Sequence, residues 1–344
     1  MNEAAQASDR TEPDRRPLVV VVAGPTASGK SALALDLAVE LGGTVINADS
    51  MQIYRELEIL AARPGAAALG GAPHRLYAVL SGSEVCSAGR WRRMAQQAIA
   101  EALELGRLPI LAGGTGLYLK ALEQGLAALP PIPEPVRAAA RAYHAEIGGE
   151  AFHAALAARD PVMAERLHPR DSQRLVRAWE VLEATGRSLA DWQAMQQAEA
   201  PPYRILRFTL LPERAALYAA CDRRFEAMIA AGALAEVRRL LALQLDPALP
   251  VMKALGVRPL LRHLAGELEL DEAVAAGQTE TRRYAKRQLT WLRTQVPAGR
   301  VLDGEDMDDS CKIDTSWIVD QKYSDKLTDR IFAIIRESVL TLQG

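Results

Sequence analysis

The sequence predicts an α/β protein in which a parallel sheet is flanked by helices and interrupted by an all-helical insertion. A charge-free, β-branched run at 18–23 passes directly into a glycine-rich loop and then into helical spacing, as expected of a buried parallel strand. Further short apolar runs at 44–48, 108–112 and 204–210 alternate with helical stretches, which is typical of a parallel sheet. Between residues 130 and 200 the pattern is helical throughout, so this segment is the predicted insertion.

Composition places the chain among ordinary globular proteins. It has 344 residues, 49% hydrophobic and 24% charged, which is enough for a large core and either two lobes or a domain with an insertion. The net charge of −2 indicates no general affinity for nucleic acid, so any such site has to be a local patch. The three cysteines are far apart, which argues against a zinc site or a disulfide framework and favours a reducing cytosol.

The N-terminal segment and the hydropathy of the chain bear on localisation. Residues 1–17 are polar and carry no apolar core, so we interpret them as a disordered leader and not as a signal peptide. No run of about 18 apolar residues occurs, which excludes a membrane span. We therefore expect a cytoplasmic protein without a membrane partner, and we expect a monomer because no dimerisation heptad is visible.

The element with the most specific chemistry follows the first predicted strand. It matches the pattern G-x-x-x-x-G-K-[ST] of the phosphate-binding P-loop, and its residues are Gly24, Pro25, Thr26, Ala27, Ser28, Gly29, Lys30 and Ser31. The glycines let successive backbone N–H groups face one anion, and the following helix N-terminus adds partial positive charge. Lys30 supplies a full charge to a terminal phosphate, and the Ser31 hydroxyl is placed to bind Mg²⁺. The loop predicts a di- or triphosphate ligand and the fold class of P-loop NTPases.

Two predicted strand ends should lie beside this loop, because ligands of parallel sheets gather at the carboxyl ends of the strands. One strand ends at Asp49, whose carboxylate near a bound phosphate has to hold a metal or handle a proton; a helix N-cap is the alternative. The other ends in Gly113-Gly114-Thr115, without the Asp with which a nucleoside-triphosphate hydrolase organises Mg²⁺ and water. Such a turn permits close backbone approach and offers hydrogen-bond donors, with a plain tight turn as the alternative.

Prolines at 130–135 and at 201–202 mark two boundaries in the chain, since they end helices and central strands. We therefore predict, after the leader, a core at 18–129, a helical insertion at 130–200, a second part of the core at 201–302 and a tail of unassigned role at 303–344.

Two basic stretches are candidates for contact with nucleic acid. Arg170, Arg174 and Arg177 fall at i, i+4 and i+7 on one predicted helix face with few compensating acids, although a solvated charged stripe is the usual meaning of that pattern. The stretch 281–293 carries five basic residues and no acid, interleaved with Tyr and Trp. It fits a phosphate backbone with stacking partners, and an amphipathic helix with snorkelling cations is the alternative.

Six motifs occur in a fixed order, and together they resemble one family. They are GPTASGKS at 24–31, DSMQIY at 49–54, PHRL at 73–76, GGTGLYLKAL at 113–122, HPRDSQRLVRAWEV at 168–181 and TRRYAKRQLTWLR at 281–293. The set resembles the bacterial tRNA dimethylallyltransferases, also called tRNA isopentenyltransferases. One departure is Leu60-Ala61-Ala62-Arg63-Pro64, where that family usually has Gly-Thr-Ala-Lys-Pro.

The resemblance implies transfer of a dimethylallyl group from its diphosphate to N6 of adenosine 37, beside the anticodon of tRNA, with Mg²⁺ as cofactor. By similarity, Asp49 is the general base with Thr26 nearby, the P-loop with Lys30 holds the diphosphate, Ser31 binds Mg²⁺ and Arg238 clamps the diphosphate. The helical insertion and the basic stretch would grip the anticodon stem-loop. Residues that resemble the tRNA contacts of the family, together with two from the basic stretch, are Asp49, Ser50, Met51, Gln52, Thr115, Arg137, Gln173, Arg174, Leu175, Val176, Arg177, Lys253, Ala254, Leu255, Gly256, Val257, Arg258, Arg282 and Lys286.

Three alternatives stay open. A P-loop small-molecule kinase would use Asp49 to activate a hydroxyl, but it leaves the basic stretch and the missing metal-site Asp unexplained. A prenyltransferase for free adenine nucleotides, such as adenylate, would have little use for the arginine face at 170–177. A non-catalytic RNA-binding protein would not need Asp49 or an intact Lys30-Ser31 pair.

Overall fold

The computed structural model describes residues 14–195, 200–295, 300–302, 316–319 and 325–340. In this part of the chain the strands are β1 Leu18–Ala23, β2 Gly43–Asn47, β3 His74–Arg75, β4 Leu108–Gly113, β5 Arg204–Leu210, β6 Arg300–Leu302 and β7 Ser316–Val319. They form one sheet in the order β3-β2-β4-β1-β5-β7-β6, with parallel pairing throughout. The predicted fold class, a parallel sheet flanked by helices, is confirmed.

The helices of the described residues alternate with these strands or follow them. Their bounds are α1 Lys30–Glu40, α2 Ala66–Gly71, α3 Ala88–Glu104, α4 Gly116–Gln124, α5 Glu134–Arg159, α6 Pro161–Arg166, α7 Ser172–Thr185, α8 Leu189–Ala194, α9 Arg214–Ala230, α10 Ala233–Ala242, α11 Val257–Leu264, α12 Leu270–Gln295 and α13 Asp325–Leu340, with a 3₁₀ turn at Pro250–Lys253. None of the described helices is long and apolar enough to cross a membrane.

The central strand β1 explains why its sequence is a continuous apolar run. All six of its residues are buried, and alternate side chains enter two different core clusters. Val19 and Val21 pack in one cluster, whereas Val20 and Val22 pack in the other, as the two-residue period of a strand requires. Because helices cover both faces of the sheet, neither set of side chains meets water.

The C-terminal segment, predicted as a tail of unassigned role, contributes to the core. β7 pairs with both β5 and β6, and Ile331, Ile334 and Ile335 of α13 are buried in the same cluster as Val20. The spacing of the three isoleucines is that of one helix face, so the signal was present in the sequence. Residues 303–315, 320–324 and 341–344 lie outside the described residues.

The leader was predicted for residues 1–17, of which 1–13 lie outside the described residues. The last of the leader residues, Pro17, accepts a backbone hydrogen bond of 2.8 Å from Arg204 at the start of β5. Arg16 donates to the carbonyl of Pro201 at 2.8 Å.

Contacts between backbones divide the chain into two units. The first consists of 1–123 and 201–344 and contains the sheet, and the second consists of 124–200. The second unit holds α5 to α8 around its own core, in which Phe152, Leu156 and Leu175 are fully buried.

Candidate active site

The P-loop connects the end of β1 to the start of α1, where the motif predicts it. Gly29 adopts a left-handed conformation with φ of 87°, which favours glycine. Ala27 also has a positive φ of 61°, a conformation that costs about 1 kcal/mol for a residue with a side chain. Backbone strain of this kind is held in place by the surrounding structure and is concentrated at ligand sites.

Lys30 is the buried cation of this loop. Only 8% of it is exposed, and its Nζ donates to the carbonyl of Pro25 at 3.2 Å. The pKa of Lys30 is lowered to about 8, chiefly by burial; the charge of Asp49 opposes this shift and the charge of Arg224 adds to it. A bound anion beside its ammonium group would therefore offset the free-energy cost of keeping this positive charge buried.

Arg224 of α9 is a residue of this site that the sequence analysis missed. It donates through Nη2 to the hydroxyl of Thr26, and burial lowers its pKa while the charge of Asp49 opposes that shift. Among the described residues, Arg224 Nε and the Ser28 hydroxyl are buried polar atoms without a hydrogen-bond partner. Lys30, Arg224 and the unpaired Ser28 hydroxyl meet at the P-loop and form a binding site suited to a highly charged anion.

Asp49 lies just beyond the end of β2, and its position is fixed by Asn47. The Asn47 amide oxygen accepts from the backbone N–H of Asp49 at 2.8 Å, and its nitrogen donates to the carbonyl of Asp49 at 3.0 Å. One carboxylate oxygen of Asp49 accepts from the backbone N–H of Met51 at 2.9 Å. Asp49 is half-buried, and its charge interacts electrostatically with those of Lys30 and Arg224.

The turn after β4 joins Asp49 at the same edge of the sheet. Gly113 has no room for a side chain, because a Cβ atom there would lie 2.2 Å from the carbonyl of Ala48. The Thr115 hydroxyl accepts from the backbone N–H of Ser50 at 3.0 Å. Tyr284 of α12 interacts with the Thr115 side chain, and its pKa is raised by burial and then by the charge of Asp49. The turn therefore has a specific packing role, and α12 reaches the general-base candidate.

A family profile described as IPP transferase matches residues 52–295. The chain belongs to the IPP transferase family. The tRNA dimethylallyltransferase of Rhodospirillum centenum is 58% identical over 295 residues, which are 86% of this chain and 94% of that protein. The enzyme of the same description from Paramagnetospirillum magneticum is 53% identical over 322 residues, 94% of this chain and 97% of its own.

A solved structure of the same family has the same fold. The full-length tRNA isopentenylpyrophosphate transferase of Bacillus halodurans superposes with a TM-score of 0.65 at 31% identity, covering 95% of this chain and 97% of that one. The resemblance inferred from the six motifs is confirmed.

Arg238, the predicted diphosphate clamp, is exposed on α10. Glu236, two residues earlier on that helix, is 2% exposed and accepts backbone N–H bonds of 2.7 to 2.9 Å from residues 58–60. Residues two positions apart project from nearly opposite sides of a helix, so Arg238 faces away from the segment 58–60. Its role as a clamp stays a prediction, whereas the arginine that contacts the P-loop is Arg224.

The predicted tRNA contacts fall into exposed and buried groups. Gln52 is buried, and its amide donates to the carbonyls of Ala61 and Ala62, both at 3.0 Å, in the segment that departs from the usual sequence of the family. The exposed or partly exposed members are Ser50, Met51, Thr115, Arg137, Gln173, Arg174, Val176, Arg177, Lys253, Leu255 and Arg258. The buried members, besides Gln52, are Leu175, Ala254, Gly256 and Val257.

The arginine face of α7 has more acidic partners than the sequence analysis expected. Arg174 lies 3.4 Å from the carboxylate of Asp171, and Arg177 lies 3.1 Å from that of Glu180. Each acid is three residues from its arginine, Asp171 as the N-cap of α7 and Glu180 within the helix, which is the spacing of a local ion pair. The expectation of few compensating acids on this face is therefore wrong.

The basic stretch at 281–293 lies in α12, and its cations separate into two sets. Arg282 is paired with Asp222 of α9 at 2.5 Å, which ties the two helices together. An outer groove of about 500 Å³ is lined by Arg283, Lys286, Arg287, Thr290, Trp291 and Thr294. We call Arg283, Lys286 and Arg287 the outer cations of α12; all three are exposed and have no acidic partner among the described residues.

Proposed function

We propose that this protein transfers a dimethylallyl group from dimethylallyl diphosphate to N6 of adenosine 37 in tRNA and releases diphosphate. The observation that carries the proposal is the meeting of a cationic cradle at the P-loop with a positioned carboxylate, Asp49. A cradle alone would fit many phosphate ligands. Here the P-loop is accompanied by the carboxylate of Asp49, and β4 is not followed by the metal-site Asp of a hydrolase. This combination fits displacement of diphosphate by a nucleophile.

The diphosphate is assigned to the P-loop, with Lys30 and Arg224 as its cations. This assignment is supported by the burial of Lys30 and of the Arg224 Nε, because a desolvated charge acts more strongly on an anion than a hydrated charge does. As the C–O bond breaks, the electron pair goes to the diphosphate oxygen, and these fixed cations stabilise the charge that develops there.

Mg²⁺ is the cofactor that the family implies. Within the described residues no group of three or more His, Cys, Asp or Glu side chains could hold a metal ion. A Mg²⁺ ion at this site would therefore depend on the hydroxyl of Ser31, exposed at the start of α1, together with diphosphate oxygens, in a manner usual for this ion. When bound, it would neutralise part of the charge of the leaving group.

Asp49 is assigned as the general base. The exocyclic amine of adenine is a poor nucleophile because its lone pair is delocalised into the ring. As N6 forms its bond to the allylic carbon, Asp49 accepts the N6 proton, and such assistance contributes about 10²- to 10⁴-fold. The hydrogen bond from the Met51 backbone supports this role because it orients the carboxylate.

The acceptor is assigned as the anticodon stem-loop of tRNA. Adenosine 37 is stacked in the loop and has to be flipped out to reach a half-buried carboxylate. The outer cations of α12 lie on the same helix as Tyr284, whose pKa responds to the charge of Asp49, and this supports assigning them to phosphates next to the extracted base. We further propose that the protein acts as a monomer in the cytoplasm.

The test is transfer of label from dimethylallyl diphosphate to unmodified tRNA with adenosines at positions 36–38, in the presence of Mg²⁺. We expect label in tRNA and release of diphosphate. Label in free adenylate but not in tRNA would identify a free-nucleotide enzyme instead. Phosphorylation of a small acceptor by ATP, without prenyl transfer, would identify a kinase and contradict the proposal.

A further inference from the structure

Gln288 is a buried polar residue of α12 that the roles assigned above do not use. It is 5% exposed, and both ends of its amide are bonded to backbone. Its oxygen accepts from the N–H of Thr26 at 2.8 Å, and its nitrogen donates to the carbonyl of Gly114 at 2.9 Å. One side chain thus joins the P-loop to the turn after β4.

These two loops approach each other closely at Gly114. A Cβ atom at this position would lie 2.4 Å from the Gln288 amide nitrogen and 2.6 Å from the carbonyl oxygen of Gly24. Trp291, three residues after Gln288, lies against the same turn, because a Cβ atom at Gly116 would be 2.4 Å from its indole. The turn after β4 can therefore pack this closely against the P-loop and Trp291 only with glycine at 114 and 116.

The loops joined by Gln288 carry the two halves of the reaction centre. Thr26 accepts the hydrogen bond of Arg224, on the side where the diphosphate is assigned. Thr115, directly after Gly114, holds the backbone of Ser50 next to Asp49, on the side of the acceptor amine. The distance between leaving group and nucleophile thus depends on how these two loops are held relative to one another.

We propose that Gln288 is a positioning residue that holds the P-loop and the β4 turn at the separation that prenyl transfer requires. This inference rests on the proposed function. The amide is suited to the task because it offers one acceptor and one donor, which match an N–H on one loop and a carbonyl on the other. Neither a carboxylate nor an apolar side chain satisfies both partners, and a buried unpaired backbone group shifts or opens its loop.

The experiment compares Gln288→Ala and Gln288→Glu with wild type in steady-state transfer. We expect the kcat of Gln288→Ala to fall about 10²-fold, the scale of a 1 Å misplacement, with little change in the KM for tRNA. Gln288→Glu keeps the acceptor for Thr26, loses the donor for Gly114 and adds negative charge beside the P-loop. It should therefore also raise the KM for dimethylallyl diphosphate.

Gln278→Ala is the matched control, since Gln278 is the same residue type on the same helix. Its amide donates to Asp222 and Glu226 of α9 at 3.4 Å and 3.0 Å, away from both loops. We expect wild-type kcat from this variant. A drop as large as that of Gln288→Ala would show a general effect of loosening α12 and would overturn the inference.

A double-mutant cycle with Gly114→Ala separates positioning from stability. The added methyl group would displace the Gln288 amide, so the losses of kcat in Gly114→Ala and Gln288→Ala should be strongly non-additive. If Gly114→Ala does not fold, Gln288→Asn, whose amide is too short to reach both loops, replaces it and should reproduce the fall in kcat.

Two further outcomes overturn the inference. One is a Gln288→Ala variant whose Tm falls while its kcat, measured well below that Tm, stays at the wild-type value, which would mark a purely structural role. The other is a wild-type protein that binds inorganic diphosphate but transfers no prenyl group. In that case the proposed function fails and this inference fails with it, whereas the first outcome leaves the proposed function intact.

Discussion

The site contains two kinds of cation that differ in their exposure to water. Lys30 is buried at the P-loop and Arg224 is half-buried there with its Nε enclosed, and burial lowers the pKa of each. The outer cations of α12, Arg283, Lys286 and Arg287, are exposed and keep their hydration. Buried charges act strongly on one anion at a fixed place, whereas hydrated charges supply affinity that is shared over a surface and screened by salt. The first kind suits a leaving group, and the second kind suits a phosphate backbone.

The largest expected effect comes from the carboxylate that faces the buried cations. Asp49→Asn keeps the size and the acceptor oxygen of the side chain but removes the base, so single-turnover transfer should slow by about 10²- to 10⁴-fold. Binding of tRNA, measured by filter binding, should stay within about twofold of wild type. This is well below the tenfold change in Kd that 1.4 kcal/mol represents. A variant that loses tRNA binding at an unchanged rate would instead place Asp49 in recognition.

The buried cations come next. Arg224→Ala should lower kcat/KM for dimethylallyl diphosphate by about 10²- to 10³-fold, because a fixed charge at the developing anion is lost. The adjacent Arg223 is exposed on the same helix, so Arg223→Ala is the matched control and should stay near wild type. Equal losses in both variants would contradict the distinction between buried and exposed cations.

The pH dependence provides a sharper comparison. The pKa of Lys30 is lowered to about 8 in the free protein, so the cation is present below that pH and is lost as the pH rises through it. The affinity for dimethylallyl diphosphate should therefore fall above pH 8, by up to about tenfold per pH unit. Lys30→Arg, which stays charged, should flatten this fall, and the affinity for tRNA should show no such transition near pH 8. A profile identical in wild type and Lys30→Arg would remove Lys30 as its cause.

The smallest expected effect belongs to the outer cations of α12. Changing Arg283 and Arg287 to Ala should reduce the slope of log affinity for tRNA against log salt by about 1 for each phosphate that is no longer neutralised, with kcat at saturating tRNA unchanged. Arg282→Ala is the informative contrast, because Arg282 is already paired with Asp222. It should lower Tm and leave the salt slope unchanged. If Arg282→Ala reduced the salt slope while the changes at Arg283 and Arg287 lowered only Tm, RNA binding would be assigned to Arg282 and a structural role to Arg283 and Arg287.

Much of the fold could be predicted because its signals are local. The run at 18–23, the loop and the helix after it form consecutive elements, and the strands predicted at 44–48, 108–112 and 204–210 are present as β2, β4 and β5. β3 escaped prediction because its two residues are too few to establish an alternation. β7 escaped prediction because its four residues are also too few to establish an alternation.

The candidate site was predicted only where one motif supplies its residues. Lys30 and Ser31 follow from the P-loop pattern, and Asp49 follows from its place after a strand. Arg224 is one of three arginines of α9, and nothing local distinguishes it from Arg223 beside it or from Arg238 on α10.

By itself, the sequence determined the sheet, the phosphate loop and the family, since each depends on residues near one another in the chain or on motifs in a fixed order. Only the tertiary structure decided which distant side chains complete the site. Thr26 meets Arg224 across 198 positions and Gln288 across 262. Both helices reach the loop because β1 lies at the centre of the sheet, and α9 and α12 pack together beside the P-loop. These hydrogen bonds form only when α9 and α12 have packed beside the P-loop, so no local pattern in the sequence predicts them.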